Sequence, residues 1–277
     1  MQSQLVKIFY LGNRYHGSQV QPGFKTVQGE LMNALQDWSG NMFPQSSVQF
    51  AGRTDRGVHA LGQVVRIDSE KLLDVDKINK YLPDDIILWA HTKIHSNFRP
   101  RYDVLQRHYR YYIGNTIKID YSAVQKEIQT LVGTHDFRGL SKPDDTRVTT
   151  LTIINACISS KINPLSYDFI GNSFLWKMVR KIVTVLQDIG TESIQSDAIS
   201  RILKGNKVYP GGIQPAPPES LVLLESVVPY SFEISKYALR RIVRTLNDIF
   251  DQLTRTSDTI EFLRREVISF QRHFVLP

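Results

Sequence analysis

The sequence predicts an α+β fold built from two halves of similar size. Two observations carry this reading. Segments of β-branched, aromatic or alternating residues are interleaved with segments whose apolar residues recur every three or four positions. Composition also shifts near Pro100, dividing residues 1–101 from 102–234 and leaving a helical extension over 235–277. The chain has 277 residues and 42% hydrophobic content, enough for a substantial core.

The first half opens with a strand at Gln4–Tyr10 and a turn-rich loop over Asn13–Gly23. Thr26 is placed to cap a helix reaching Trp38, with Val27, Leu31, Ala34, Leu35 and Trp38 on one face. Strands follow at Val48–Ala51 and Gln63–Ile67. A short helix over Val75–Leu82 stops before Pro83, and Ile86–Ile94 is a strand.

In the second half, Arg107–Ile113 alternates as a strand. Arg107, Tyr109, Tyr111 and Ile113 share one face, and His108, Arg110 and Tyr112 share the other. A helix is expected over Tyr121–Val132, with strands at Val148–Ser159 and Tyr167–Ile170. Asn172 or Ser173 then caps a helix ending at Gly190, whose stripe is Leu175, Met178, Val179, Ile182, Leu186 and Ile189. Gly211, Gly212, Pro215, Pro217 and Pro218 mark a loop before a strand at Leu221–Val228. From Ser235 the tail is helical. Leu239, Ile242, Leu246, Ile249 and Leu253 keep a 3-4 spacing, and a second helix is expected over Ser257–Gln271. That tail fits packing on its own chain or on a second subunit.

Thirty-four Lys+Arg against 27 Asp+Glu, with a pI near 9.4, favour a polyanionic partner. Cys157 is the single cysteine, which excludes an intramolecular disulfide and a cysteine-based zinc site. His16, His59, His108 and His135 lack metal-ligand spacing, so no metal site is expected. The opening MQSQLVKIFY lacks a signal-peptide core, and no apolar run approaches a membrane span. The expectation is a cytoplasmic protein without membrane contact.

The most informative segment is Phe50-Ala51-Gly52-Arg53-Thr54-Asp55-Arg56-Gly57-Val58-His59-Ala60. It places one carboxylate between two arginines, among small residues, on a loop between strands. A carboxylate beside cations stays ionised below neutral pH and suits nucleophilic work. Residue types alone favour a plainer account, a turn with a surface Arg–Asp pair worth at most ~1 kcal/mol. The full string is far more specific.

The segment Ala51-Gly52-Arg53-Thr54-Asp55, followed by Gly57-Val58-His59-Ala60 and Gly62-Gln63-Val64, resembles the signature of the TruA family of tRNA pseudouridine synthases. Further blocks resemble the family in order. They are Tyr15–Gln21, Thr26–Leu31, Phe98–Arg101 with Arg107–Tyr111, His135–Phe137, Phe174–Val183 and Ala216–Leu223. Together they span about residues 5–230. The closing block and Ser141-Lys142-Pro143-Asp144-Asp145 resemble archaeal members more than bacterial ones. Three features depart from the pattern: Arg56 where many members have alanine, Ser18 where tryptophan often follows the glycine, and the tail after Ser235.

The resemblance implies two α+β halves, each with an antiparallel sheet, around a central basic cleft. It implies isomerisation of uridine to pseudouridine in the anticodon stem-loop of tRNA, at positions 38, 39 and/or 40, by a homodimer. Asp55 matches the catalytic aspartate, Tyr109 the active-site tyrosine and Arg180 the arginine that pairs with the aspartate. Arg53 matches the arginine that helps extrude the target base. Arg56, Arg101, Arg107, Arg110 and Lys177, with Lys25 and Arg99, are candidates to bind RNA, since cations interleaved with tyrosines suit it. The isomerisation gains no atoms, so stoichiometry requires no cofactor. Asp55 could start it by covalent attack or by assisting C2′ deprotonation. The same residues also fit a synthase for another tRNA position or RNA, or a non-catalytic RNA-binding protein on this scaffold.

Overall fold

The computed structural model describes residues 1–95, 97–114, 119–143, 148–159 and 165–274, with side chains as far as Ile268. Asp144 and Asp145 of the archaeal-like stretch lie outside these residues. In chain order the strands are β1 Gln2–Tyr10, β2 Val48–Phe50, β3 His59–Ser69, β4 Ile86–Lys93, β5 Gln106–Tyr112, β6 Gly133–Asp136, β7 Thr150–Ser159, β8 Ser166–Gly171, β9 Leu221–Val227 and β10 Glu233–Ile234. The helices are α1 Val27–Ser39, α2 Val75–Ile78, α3 Pro100–Asp103, α4 Tyr121–Gln129, α5 Met178–Gly190, α6 Ala198–Leu203 and α7 Lys236–Phe274.

The strands form one sheet, antiparallel everywhere except where β3 meets β9. Its order is β10-β4-β1-β3-β9-β5-β8-β7-β6, with β2 beside β3. The junction is a short parallel ladder in which His59 faces Val222 and Ala60 faces Leu223. Gly62 permits it: a Cβ there would lie 2.5 Å from the Leu224 carbonyl oxygen.

Strand alternation sorts the core between the two faces of the sheet. Val6, Ile8 and Tyr10 pack with Val27, Leu31 and Leu35 of α1, in a cluster that continues to α5 through Met178, Ile182 and Leu186. Phe9 and Ile87 point the other way and receive Ala238 and Ile242 of α7. Helix α1 starts as expected, with the Thr26 hydroxyl accepting from the Gly29 N–H, and ends at Gly40 in the left-handed region.

Several boundaries differ from the sequence expectation. Strand β3 begins at His59 because its first residues pair with both β1 and β9. Helix α5 begins at Met178: Asn172 exchanges hydrogen bonds with Thr152 on β7 and so belongs to the sheet edge. Helix α2 ends early because the Asn79 side chain bonds both backbone groups of Leu88. Val148 stands outside β7. The tail is one helix, without Gly or Pro to break it, and Thr254, Thr256 and Thr259 donate to carbonyls four residues back. No described helix is long and apolar enough to cross a membrane.

His59 clasps the junction. Its Nδ1 accepts from the Gly12 N–H at 3.1 Å, and its Nε2 lies 3.0 Å from the Glu219 carbonyl oxygen. Only the neutral ring protonated at Nε2 satisfies both partners. Burial lowers its pKa. The unfolded chain then binds the proton more readily, so this stabilisation is intact above the unfolded value of about 6.5 and is lost as pH falls below it. The urea midpoint should drop between about pH 7.5 and about pH 5.5, and His59→Gln should flatten part of that drop. Identical pH slopes for both proteins would remove His59 from the account.

Candidate active site

The loop between β2 and β3 is pinned at nearly every residue except those that face outward. Arg107, on β5, is buried beneath it. Its Nη2 donates to the carbonyls of Ala51 at 2.8 Å and Arg101 at 3.1 Å, and its Nη1 donates to that of Asn172 at 2.6 Å. Gln63 donates to the Gly52 carbonyl at 2.9 Å. The Thr54 N–H donates to the Ser18 hydroxyl at 2.9 Å, and the Thr54 hydroxyl shares a 2.8 Å bond with the Tyr10 phenol. Gly57 has φ +86°, and a Cβ there would lie 2.8 Å from the Pro218 ring. Asp55 sits in the turn between these anchors, closed by the Val58 N–H donating to its carbonyl.

Both carboxylate oxygens of Asp55 are held from the other half. Arg180 Nη1 donates to Oδ2 at 2.8 Å, and Trp176 Nε1 donates to Oδ1 at 2.9 Å. Arg180 is fixed by a second contact, Nε donating to the Ala216 carbonyl at 2.6 Å. The ion pair is mostly sheltered, with 12% of the Arg180 side chain and 22% of the Asp55 side chain accessible. Such charge-assisted bonds, at two points on one guanidinium, set direction as well as charge.

Tyr109 reaches this centre from β5. Its ring is buried and meets Phe174 edge-on, with centroids 5.1 Å apart. Burial pushes its phenol up to about 12, and the nearby Asp55 charge acts in the same direction. The hydroxyl is therefore protonated at neutral pH and can donate a proton or hydrogen bond. Tyr111 follows on the same face, also buried.

Cations surround the exposed side. Trp176 is 45% exposed, with Lys142 Nζ 3.7 Å from its ring centroid and Lys177 Nζ 5.7 Å away. Lys177 caps α5 at φ +61°, an uncommon conformation for a residue with a side chain. Burial, with Lys177 nearby, lowers the pKa of Lys181. Arg53 and Arg56 are exposed on either side of Asp55 and have no ion-pair or hydrogen-bond partner among the described residues. Arg101 is exposed on α3, which Arg107 ties to the loop.

Asp55 and Arg180 thus meet directly, Tyr109 lies within reach of the Asp55 charge, Arg53 and Arg56 flank Asp55 on its loop, and Lys177 lies by the Trp176 ring. The other sequence candidates lie apart from this group. Arg107 supports the loop from below, its guanidinium engaged with backbone carbonyls. Arg110 is on the opposite face of β5, bonded to Asp168 at 2.9 Å beside His108. Lys25 pairs with Glu30 and Arg99 with Asp103. Trp176 was not among the candidates. It precedes α5, separated from Arg180 by the left-handed Lys177, so no helical spacing in the sequence pointed to it.

Known proteins place this architecture. A family model described as tRNA pseudouridine synthase matches residues 128–228. The chain is 40% identical to the tRNA pseudouridine synthase A of Methanosarcina barkeri over 245 residues, covering 85% of this chain and 89% of that one. It is 37% identical to that of Methanothrix thermoacetophila over 270 residues, covering 94% and 97%. With Archaeoglobus fulgidus the figure is 35% over 246 residues, covering 87% and 90%. At these identities, over nearly the full length of both partners, the chain belongs to the TruA family of tRNA pseudouridine synthases.

Proposed function

We propose that this enzyme converts uridine to pseudouridine in the anticodon stem-loop of tRNA, at positions 38, 39 or 40, with Asp55 as the catalytic carboxylate. The observation that carries the catalytic reading is the Asp55 side chain, fixed by Arg180 and Trp176 and adjoining Tyr109. The reaction breaks the N1–C1′ bond, turns the uracil and joins C5 to C1′. The proton leaves C5 and N1 gains one, so atoms balance. The Asp55 carboxylate starts this by attack at C1′ or by taking the C2′ proton. Arg180 keeps it charged and aimed. Tyr109 stacks on the extruded uracil, worth about 1–3 kcal/mol, and its phenol stands ready to relay the C5 proton.

The target base is stacked in the stem-loop and must be flipped out, at a cost of a few kcal/mol. Arg53 fills the space it leaves, while Arg56, Arg101 and Lys177 hold phosphates. Arg107 acts as a positioning residue beneath the loop, and Arg110 stays outside the RNA surface.

Three tests follow. The wild type should release tritium from tRNA carrying [5-³H]uridine, and Asp55→Asn should not; equal release would remove Asp55 from the mechanism. Arg180→Lys keeps the charge but cannot serve both Ala216 and Asp55, so kcat should fall by about 100-fold with KM nearly unchanged. Trp176→Phe keeps a ring but removes one charge-assisted donor, and should lower kcat by about tenfold. A rise in KM alone would assign both side chains to binding.

Salt dependence tests the RNA surface. Arg53→Gln, Arg56→Gln and Arg101→Gln should each reduce the slope of log affinity against log salt by about 0.7–0.9. Arg110→Gln should leave it unchanged, and a matching loss there would contradict the placement.

A further inference from the structure

Trp176 holds one oxygen of Asp55, yet little in its own segment fixes the ring. It precedes α5, its neighbour Lys177 has φ +61°, and its side chain is partly open to solvent. An indole free to turn about its side-chain bonds loses entropy when its N–H is held on a carboxylate. The restraint must come from outside α5.

It comes from Ser141 and Lys142. The chain reaches them through a tight turn over Arg138–Leu140, set in the core by the buried side chains of Phe137 and Leu140. Lys181, the residue after Arg180, donates from Nζ to the Ser141 carbonyl at 2.8 Å. The Lys142 N–H donates to the Trp176 carbonyl, also at 2.8 Å. The Lys142 side chain then turns back over the indole, with Nζ 3.7 Å from its centroid. One lysine therefore grips both the backbone and the ring of Trp176.

This contact does more than pack. A cation over an aromatic face is attracted by the ring quadrupole, and it draws electron density from the ring. The indole N–H becomes a stronger donor, as in any polarised chain of contacts. Lys142 is exposed and has no carboxylate partner among the described residues, so the ring is its electrostatic partner. Lys177 is more distant from the same centroid, at 5.7 Å. The contacts run in one line, from ammonium to indole face at 3.7 Å and from indole N–H to Asp55 Oδ1 at 2.9 Å.

We propose that Lys142 is a positioning residue for the isomerisation, its ammonium holding the Trp176 ring so that the indole N–H stays on Asp55. This rests on Asp55 as the catalytic carboxylate. Kinetics on tRNA carrying [5-³H]uridine test it. Lys142→Met keeps the length of the side chain and drops its charge; it should lower kcat about fivefold and leave KM and the salt slope of binding unchanged. Lys142→Arg should restore about half of the wild-type kcat or more. In a Trp176→Phe background, which lacks the indole N–H, Lys142→Met should change kcat by less than about twofold. The Trp176 indole N–H resonance, identified by its loss in Trp176→Phe, should move upfield in Lys142→Met as its hydrogen bond weakens. A raised KM with a smaller salt slope would assign Lys142 to RNA binding and overturn the inference. Wild-type kcat in Lys142→Met, or the same fivefold loss in the Trp176→Phe background, would overturn it too. Asp55→Asn, assayed alongside, separates the two readings: an inactive Asp55→Asn with a fully active Lys142→Met refutes the role of Lys142 alone.

Discussion

The ion pair between Asp55 and Arg180 ties the site to the fold. Its two members are 125 residues apart and sit on opposite sides of the sheet junction. The carboxylate hangs from the loop before β3, and the guanidinium rises from α5, which packs over the strands beyond β9. Their 2.8 Å separation exists only while β3 and β9 stay paired, and that ladder has two residue pairs. The contacts around it reinforce the junction. His59 bridges Gly12 and Glu219, Pro218 closes on Gly57, and Ala216 holds the Arg180 guanidinium. Moving an ion pair by an ångström costs little stability at the surface but much activity at a reacting centre.

The arginines near Asp55 divide into two groups according to burial. Arg107 is buried, where an unsatisfied guanidinium would be costly, and its donors go to the carbonyls of Ala51, Arg101 and Asn172. Those bonds shape the loop that carries Asp55. Arg53 and Arg56 belong to the same loop, yet the pinned residues between them aim both outward. Their charges meet solvent, and under the proposed function they would meet a polyanion at small desolvation cost. Trp176 joins the two groups: its N–H faces the carboxylate while its ring lies against Lys142.

The sequence was legible wherever structure was local. The Thr26 cap, the alternation in β5 and the apolar stripe of α5 follow from spacing within a few residues, and each stands close to its expected place. Asp55, Tyr109 and Arg180 were readable as motif residues, but their assembly depended on a parallel pairing between distant strands that spacing does not encode. Alternation had already set Arg110 opposite Tyr109; grouping it with the RNA-facing cations followed charge and ignored direction. Arg107 shares the face of Tyr109, but only the three-dimensional structure reveals the backbone carbonyls above it. The α5 start was misplaced because Asn172, a good cap by type, is engaged by Thr152 across the sheet.

Under the proposed mechanism Arg180 and Trp176 act on the reaction through one carboxylate. Single-turnover pseudouridine formation in a double-mutant cycle of Arg180→Lys and Trp176→Phe tests it most directly. Groups that restrain the same side chain should be coupled, by more than about 1 kcal/mol in the barrier. Additive losses, within about 0.5 kcal/mol, would contradict it.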